Sequence, residues 1–140
     1  MGKRVMEVLI ADDEPQVRSA LRLLLKQVLG VDVAGEADHA SEALKLVSKH
    51  RPGLVLLDWE LPDCGGAAAL AELRTVQPDL KIIALSGRPE ARRAAQEAGV
   101  DAFVSKGDPP ECLLAAFRAV CGDVVRGIVE PSCPAFTMLG

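Results

Sequence analysis

The chain has 140 residues, of which 49% are hydrophobic and 26% charged, and its net charge is −4. This composition is typical of one globular domain with a single core, and it argues against a disordered or fibrous protein. There is no dense Lys/Arg stretch, which argues against a nucleic-acid-binding domain. Four scattered cysteines without a Cys-x-x-Cys pair argue against zinc. The apolar stretch behind the charged N-terminus is too short for a signal peptide or membrane span, so we expect a cytoplasmic domain.

Apolar runs alternate with helical patterns five times along the chain. The periodicity predicts strands at 5–11, 31–36, 53–58, 80–85 and 101–104, and helices at 15–29, 39–50, 65–77, 89–98 and 109–121. Pro15 suits a first helical turn, and Gly30, Gly99 and Gly122 are placed to end helices. Nearly unbroken apolar strands separated by amphipathic helices indicate an α/β fold, with a parallel sheet covered on both faces.

The last segment, 123–140, loses this alternation, and Pro131 and Pro134 exclude a regular helix there. We therefore predict a domain over 1–122, followed by a tail or remnant linker with no output domain. The alternative is that the apolar side chains of the segment dock on the domain or on a second copy.

Polar residues follow four of the five predicted strands. Asp12 and Asp13 come after the first strand, Asp58 ends the third, Ser86 follows the fourth, and Lys106 comes shortly after the fifth. The carboxyl ends of parallel strands share one edge of a sheet, where ligands bind. Close carboxylates repel by roughly 4 kcal/mol per pair at 4 Å and an effective dielectric near 20. Oxygen ligands of this kind predict a Mg²⁺ site.

The same groups suit phosphoryl transfer. Mg²⁺ held by Asp13 and Asp58 would bridge to one phosphoryl oxygen, while Lys106 and Ser86 would contact two others. Asp58 lies centrally on the strand edge, where it is placed to attack phosphorus and become an aspartyl phosphate.

This constellation resembles the receiver domain of bacterial two-component response regulators over nearly all of 5–121. The matching segments are Leu9-Ile10-Ala11-Asp12-Asp13, Val55 through Gly66, Ala84-Leu85-Ser86-Gly87 and Phe103-Val104-Ser105-Lys106. The resemblance implies a flavodoxin-like (βα)5 doubly wound parallel sheet with strand order 2-1-3-4-5. The stretches 33–37 and 103–108 are most similar to the LuxR/NarL-type subfamily, which usually carries a helix-turn-helix output domain.

The resemblance assigns roles position by position. Asp58 matches the phosphoacceptor and Asp13 a direct Mg²⁺ ligand, while Asp12 matches an acid that holds a metal-bound water. The backbone carbonyl of Glu60 matches the third protein ligand. Ser86 and Lys106 match the pair that contacts the phosphoryl group.

Three further positions follow from the resemblance. Pro62 and Gly66 match the loop that shapes the site. The peptide bond between Lys106 and Gly107 matches one that is often cis in the family, although cis costs about 3 kcal/mol where no proline follows. Trp59 we interpret as a packing residue rather than a participant in the chemistry.

The resemblance also implies a switch. A phosphoryl group adds roughly −1.5 to −2 charge at Asp58. Ser86 is then expected to move toward it, and Phe103, where many receivers have Tyr, to rotate into the vacated space. The surface of the fourth helix, fifth strand and fifth helix is the expected readout, as the domain shifts between two states.

Glu60 and Arg88 flank the expected site, and in the family these positions tune how fast water removes the phosphoryl group. If the two side chains pair across the mouth, they would slow the entry of water, so we expect Glu60→Ala to speed phosphoryl loss. The alternative is two solvated charges with little coupling.

The expected partner is a sensor histidine kinase that docks beside the first helix, where Gln16, Arg18, Ser19 and Arg22 are candidate exposed contacts. A homodimer that forms on phosphorylation is a further expectation. Two rival functions remain. A hydrolase of the haloacid-dehalogenase type would need an Asp-x-Asp arrangement that 11–14 does not supply. An interaction module with a receiver fold would not need the complete polar set.

Overall fold

The computed structural model describes residues 5–122, so the predicted tail at 123–140 lies outside the described residues. Strands and helices alternate along this part of the chain. They are β1 (Met6–Ala11), α1 (Pro15–Lys26), β2 (Val31–Ala37), α2 (Ala40–His50), β3 (Leu54–Asp58), α3 (Gly66–Val76), β4 (Lys81–Ser86), α4 (Arg92–Ala98), β5 (Ala102–Ser105) and α5 (Pro110–Cys121). A 3-10 turn at Pro89–Ala91 precedes α4. Every predicted element is confirmed.

The strands are parallel and lie in the order β2-β1-β3-β4-β5. This confirms the flavodoxin-like order expected from the resemblance. The chain leaves β1 toward β2 and then crosses back to β3 on the other side, so a crevice opens at the carboxyl ends of β1 and β3. Ala11 pairs with Leu57 in the sheet, which places Asp12 and Asp58 next to each other at this edge.

Successive strand side chains point to opposite faces of the sheet, and helices cover both faces. One core joins α1 and α5 to the sheet through Val8, Ile10, Leu25, Leu56, Ile83, Val104 and Phe117. The other joins α2, α3 and α4 to it through Leu9, Val47, Val55, Leu73, Ile82, Ala95 and Phe103. Because both faces of the inner strands are buried, their sequences are nearly continuous apolar runs rather than alternating ones.

The helix ends explain the small differences from the predicted bounds. Pro15 occupies the first turn of α1, where its missing N–H costs nothing. The helix ends at Lys26 rather than at residue 29, because the N–H of Gln27 donates to Leu24 in a tighter turn. Gly30 then adopts a φ of 87° before β2 begins. No helix within residues 5–122 is both long and apolar enough to cross a membrane.

Trp59 and Gly66 pack closely in the loop between β3 and α3. Trp59 is only 9% exposed, and a Cβ added at Gly66 would lie 2.1 Å from its indole ring. The N–H of Gly66 donates to the carbonyl of Trp59 at 3.1 Å. The packing role expected of Trp59 is confirmed, and the contact fixes the loop that carries Glu60. Pro62 is exposed in the same loop.

Candidate functional site

Three carboxylates meet at the carboxyl end of β1 and β3, as the sequence predicts. Asp12 is fully buried, Asp58 is 2% exposed, and Asp13 is exposed. One carboxylate oxygen from each lies within 4.8 Å of the others. Local hydrogen bonds hold two of them there: Asp12 Oδ1 accepts from the N–H of Glu14 at 2.8 Å, and Asp58 Oδ1 accepts from the N–H of Glu60 at 2.9 Å.

The environment of Asp58 favours its neutral form. Burial, together with the charge of Asp12, raises the pKa of Asp58 from 3.8 to about 6, against the opposing effects of the Glu60 N–H and of Lys106. Desolvation penalises a charged carboxylate, and a second carboxylate nearby adds repulsion. A cation placed between these groups would relieve both effects.

Lys106 supplies one such positive charge. Its Nζ lies 2.8 Å from Asp12 Oδ2, 3.1 Å from Glu14 Oε1 and 3.5 Å from Asp58 Oδ2. Burial alone would lower the pKa of Lys106, but the hydrogen bond and charge of Asp12, together with the charge of Asp58, raise it overall. The ammonium group therefore stays protonated among the carboxylates.

Two features around Lys106 differ from the sequence analysis. The Lys106–Gly107 peptide bond is trans, since the described residues contain no cis bond. The expected cis form is thus wrong, which agrees with its high cost before a non-proline residue. Glu14 was not predicted as part of the site. It contacts Lys106 across 92 residues of sequence, a separation that no local pattern indicates.

Ser86 is fully buried, and its hydroxyl both donates and accepts a hydrogen bond. Oγ donates to Glu60 Oε2 at 2.7 Å and accepts from the N–H of Arg88 at 3.0 Å.

The Arg88 guanidinium lies 3.3 Å from Glu90 Oε2 instead of pairing with Glu60. The pair expected to screen the mouth is therefore not formed, and the reason for expecting Glu60→Ala to speed phosphoryl loss no longer holds.

Phe103 lies fully buried on the face of the sheet that α2, α3 and α4 cover. The guanidinium of Arg92, at the start of α4, lies 4.8 Å from the centre of its ring. At this distance a cation is attracted to the ring face. The predicted switch residue thus occupies an interior position beside α4.

The surface of α1 differs from the expectation of four exposed contacts. Gln16 and Ser19 are exposed, but the side chain of Arg18 is only 19% exposed. Its Nη1 donates to the carbonyl of Asp12 at 2.6 Å, and its Nε donates to Glu36 at 3.2 Å. Arg22 also pairs with Glu36. The expectation of an exposed contact is therefore wrong for Arg18. Arg22 is partly exposed, and both guanidinium groups link α1 to β2 through Glu36.

Comparisons with known proteins agree with this geometry. The family model of the response regulator receiver domain matches residues 8–118. The response regulator GacA of Pseudomonas aeruginosa is 33% identical over 119 residues, which cover 83% of this chain and 55% of that protein. The chain thus spans about half the length of such relatives.

Solved structures show the same likeness. A LuxR-family two-component response regulator from Aurantimonas sp. SI85-9A1 has a TM-score of 0.77 and 30% identity, covering 83% of this chain and 84% of that one. RcsB from Salmonella enterica serovar Typhimurium, bound to a promoter in the presence of the phosphomimetic BeF3−, has a TM-score of 0.78 and 27% identity, covering 84% and 60%. With its sheet order and matching residues, this chain belongs to the response regulator receiver domain family of two-component systems.

Proposed function

We propose that the chain accepts a phosphoryl group on Asp58 from the phosphohistidine of a sensor histidine kinase and catalyses this transfer itself. The observation that carries the proposal is the grouping of Asp58 with Asp12, Asp13 and the ammonium group of Lys106 in one crevice. A carboxylate oxygen of Asp58 would attack phosphorus as the bond from phosphorus to the histidine nitrogen breaks. Water later attacks the acyl phosphate and restores the carboxylate with release of phosphate.

The residues of the crevice fit a magnesium ion. They offer oxygen ligands alone, and two of the three carboxylates are buried. Asp13 and Asp58 would hold the ion, Asp12 would act through water, and the backbone carbonyl of Glu60 would complete the protein ligands. When bound, Mg²⁺ would neutralise the charge on the phosphoryl oxygens.

The other two polar groups act on the phosphoryl group directly. Lys106 is charged and lies 3.5 Å from Asp58 Oδ2, within reach of an oxygen on a group carried there. Ser86 would donate its hydroxyl to another oxygen. We propose that Ser86 moves toward the phosphoryl group to do so. This movement, with a rearrangement of Phe103, would shift the surface formed by α4, β5 and α5 between two states. Glu60 and Arg88 remain candidates for tuning phosphoryl lifetime.

A groove beside α1 supports the expected docking of the kinase near the site. It has a volume of about 510 Å³ and lies between α1 and the loop that leads from β5 into α5. Its lining includes Gln16, Leu23, Leu24, Val104 and Pro109, and Leu23 is 62% exposed. Lys106 also lines the groove, so a kinase seated there would approach the acceptor carboxylate.

We further propose that the receiver domain spans residues 1–122 and that 123–140 is a tail or linker. In a longer protein the output would be the control of transcription, by analogy with the promoter-bound relative. A homodimer that forms on phosphorylation and a cytoplasmic location complete the proposal. Both follow from the family alone.

The deciding experiment is incubation with acetyl phosphate and Mg²⁺, followed by intact-mass measurement. We expect one phosphoryl adduct, which disappears with Asp58→Asn and when the metal is chelated. Asp79→Asn serves as the matched control, because Asp79 is an exposed aspartate outside the cluster. An adduct that survives in Asp58→Asn would contradict the assignment of the acceptor. The lack of any adduct would favour the interaction module.

A further inference from the structure

The hydroxyl of Ser86 already donates a hydrogen bond within the protein, to the carboxylate of Glu60. Its Oγ lies 2.7 Å from Glu60 Oε2, a normal distance for a hydroxyl that donates to a carboxylate. The Arg88 carbonyl is the other acceptor within reach, at 3.3 Å, and the Arg88 N–H donates to the same Oγ at 3.0 Å. A serine hydroxyl has one proton to donate. While Glu60 accepts that proton, Ser86 has none to offer a phosphoryl oxygen.

We infer that Glu60 is a positioning residue, which holds the Ser86 hydroxyl while Asp58 is unphosphorylated and releases it when a phosphoryl group arrives. This inference rests on the proposed function, because it concerns the same acceptor. It goes further, because it names an acceptor within the chain that competes with the phosphoryl group for one proton.

The position of Glu60 suits such a competitor. Its N–H donates to Asp58 Oδ1, so its backbone is joined to the acceptor, while its side chain is exposed and free to turn away. Ser86, by contrast, is fully buried. The exposed Glu60 carboxylate is therefore the partner that leaves, which frees the buried Ser86 hydroxyl to turn toward the phosphoryl group. The negative charge of a phosphoryl group on Asp58 would repel Glu60 and favour that release.

The hydrogen bond between Ser86 and Glu60 must break before Ser86 can donate to a phosphoryl oxygen, so Glu60 should weaken phosphoryl binding. Removing the Glu60 carboxylate should free the hydroxyl and tighten the binding of a phosphoryl mimic. A hydrogen bond to a charged group is worth enough to account for about a tenfold change, which corresponds to roughly 1.4 kcal/mol. An effect of charge alone would also tighten binding, but it would not depend on Ser86.

A double-mutant cycle separates these two causes. The affinity for beryllofluoride, a phosphoryl mimic, is measured in Mg²⁺ by the fluorescence of Trp59, the single tryptophan, for wild type, Glu60→Ala, Ser86→Ala and the double variant. We expect Glu60→Ala to tighten binding about tenfold in the wild-type background and at least threefold less in the Ser86→Ala background. Glu90→Ala removes an exposed charge beside Arg88 and should change little in either background.

The outcomes are distinct. If Glu60→Ala has the same effect in both backgrounds to within threefold, or if Glu90→Ala tightens binding as much, the inference is overturned while the proposed function stands. If the wild-type protein binds no beryllofluoride in Mg²⁺, the proposed function fails, and the inference with it. Thermal unfolding checks that Ser86→Ala folds. Should it not fold, Ser86→Cys takes its place in the cycle, because a thiol is a weak donor.

Discussion

At the scale of single residues, Asp58 is a carboxylate that is more easily protonated in the folded chain than in the unfolded one. Burial, with the nearby charge of Asp12, raises its pKa from 3.8 to about 6. The stabilising contribution of its proton is therefore complete below pH 3.8 and is lost as the pH rises through about 6. Above that pH the ionised group costs the metal-free fold about 2–3 kcal/mol, since one pKa unit corresponds to roughly 1.4 kcal/mol.

Asp58→Asn should therefore stabilise the metal-free protein at neutral pH. We expect the free energy of unfolding in a chelator to rise by about 2–3 kcal/mol above pH 7 and the gain to vanish toward pH 4. Urea unfolding at a series of pH values measures both. Asp79→Asn, which changes an exposed aspartate, should show no such pH-dependent gain. If the variant were no more stable than wild type at pH 7.5, the ionised Asp58 carboxylate would not destabilise the fold.

The residues that sequence reasoning misplaced are long charged side chains. Arg18 was expected to face solvent, but its guanidinium turns back to the Asp12 carbonyl and to Glu36. Pairing of Glu60 with Arg88 was one of two alternatives, and Glu60 instead accepts a hydrogen bond from Ser86. Such groups reach several ångströms in many rotamers, so their partners depend on the assembled fold. The positions of Asp12, Asp13 and Asp58 were predictable, because a short side chain stays close to its backbone and the ends of the strands fix where that backbone lies.

At the scale of elements, apolar periodicity was enough to locate every strand and helix, but some ends depend on local backbone geometry. Helix α2 is followed by the cap residue Arg51, which adopts a left-handed φ of 48° that glycine would reach at lower cost. No glycine marks this end in the sequence, whereas Gly99, with φ of 99°, does mark the end of α4. The close contact of Gly66 with Trp59 was likewise visible only in three dimensions.

That contact gives a prediction about the loop between β3 and α3. In Gly66→Ala the new methyl group would lie 2.1 Å from the indole of Trp59, so the ring or the start of α3 must move. We expect a loss of about 3 kcal/mol in the free energy of unfolding, at the upper end of typical overpacking costs. Denaturant unfolding followed by far-UV circular dichroism measures it, because this signal does not depend on the disturbed ring.

Gly65→Ala is the matched control for this prediction. The neighbouring glycine has a φ of −63°, which alanine adopts without strain, and no atom lies within 4 Å of the added methyl. We expect a loss of no more than about 1 kcal/mol, because Gly65 is the N-cap of α3, where alanine is less favourable than glycine. Equal effects of the two substitutions would mean that the helix start, rather than the contact with Trp59, sets the cost.

At the scale of the whole molecule, one topological rule explains why the site could be predicted at all. A parallel sheet brings residues from four separate strands to one edge, although Asp13 and Lys106 are far apart in the chain. The alternation of apolar runs and helices implies such a sheet, so the polar residues at the strand ends were expected to meet. The details that remained hidden are those of side chains reaching across that edge.

The assembled edge should also couple metal binding to the stability of the whole domain. The unfolded chain does not hold the three carboxylates together, so Mg²⁺ should bind the folded state alone and stabilise it. At a concentration about 100 times the dissociation constant, the expected gain is about 2.7 kcal/mol in the free energy of unfolding. Thermal or urea unfolding, with and without MgCl2 at matched ionic strength, measures it.

Asp13→Asn distinguishes a specific site from general screening of charge. Asp13 is exposed, so its replacement should leave the metal-free fold intact while it removes a ligand that Mg²⁺ needs. We expect this variant to lose most of the gain from Mg²⁺, and Asp79→Asn to keep it. If Asp13→Asn gained as much as wild type, the cluster would not be the metal site. Lys106 would then be the cation that balances the buried carboxylates, since its Nζ already lies 2.8 Å from Asp12.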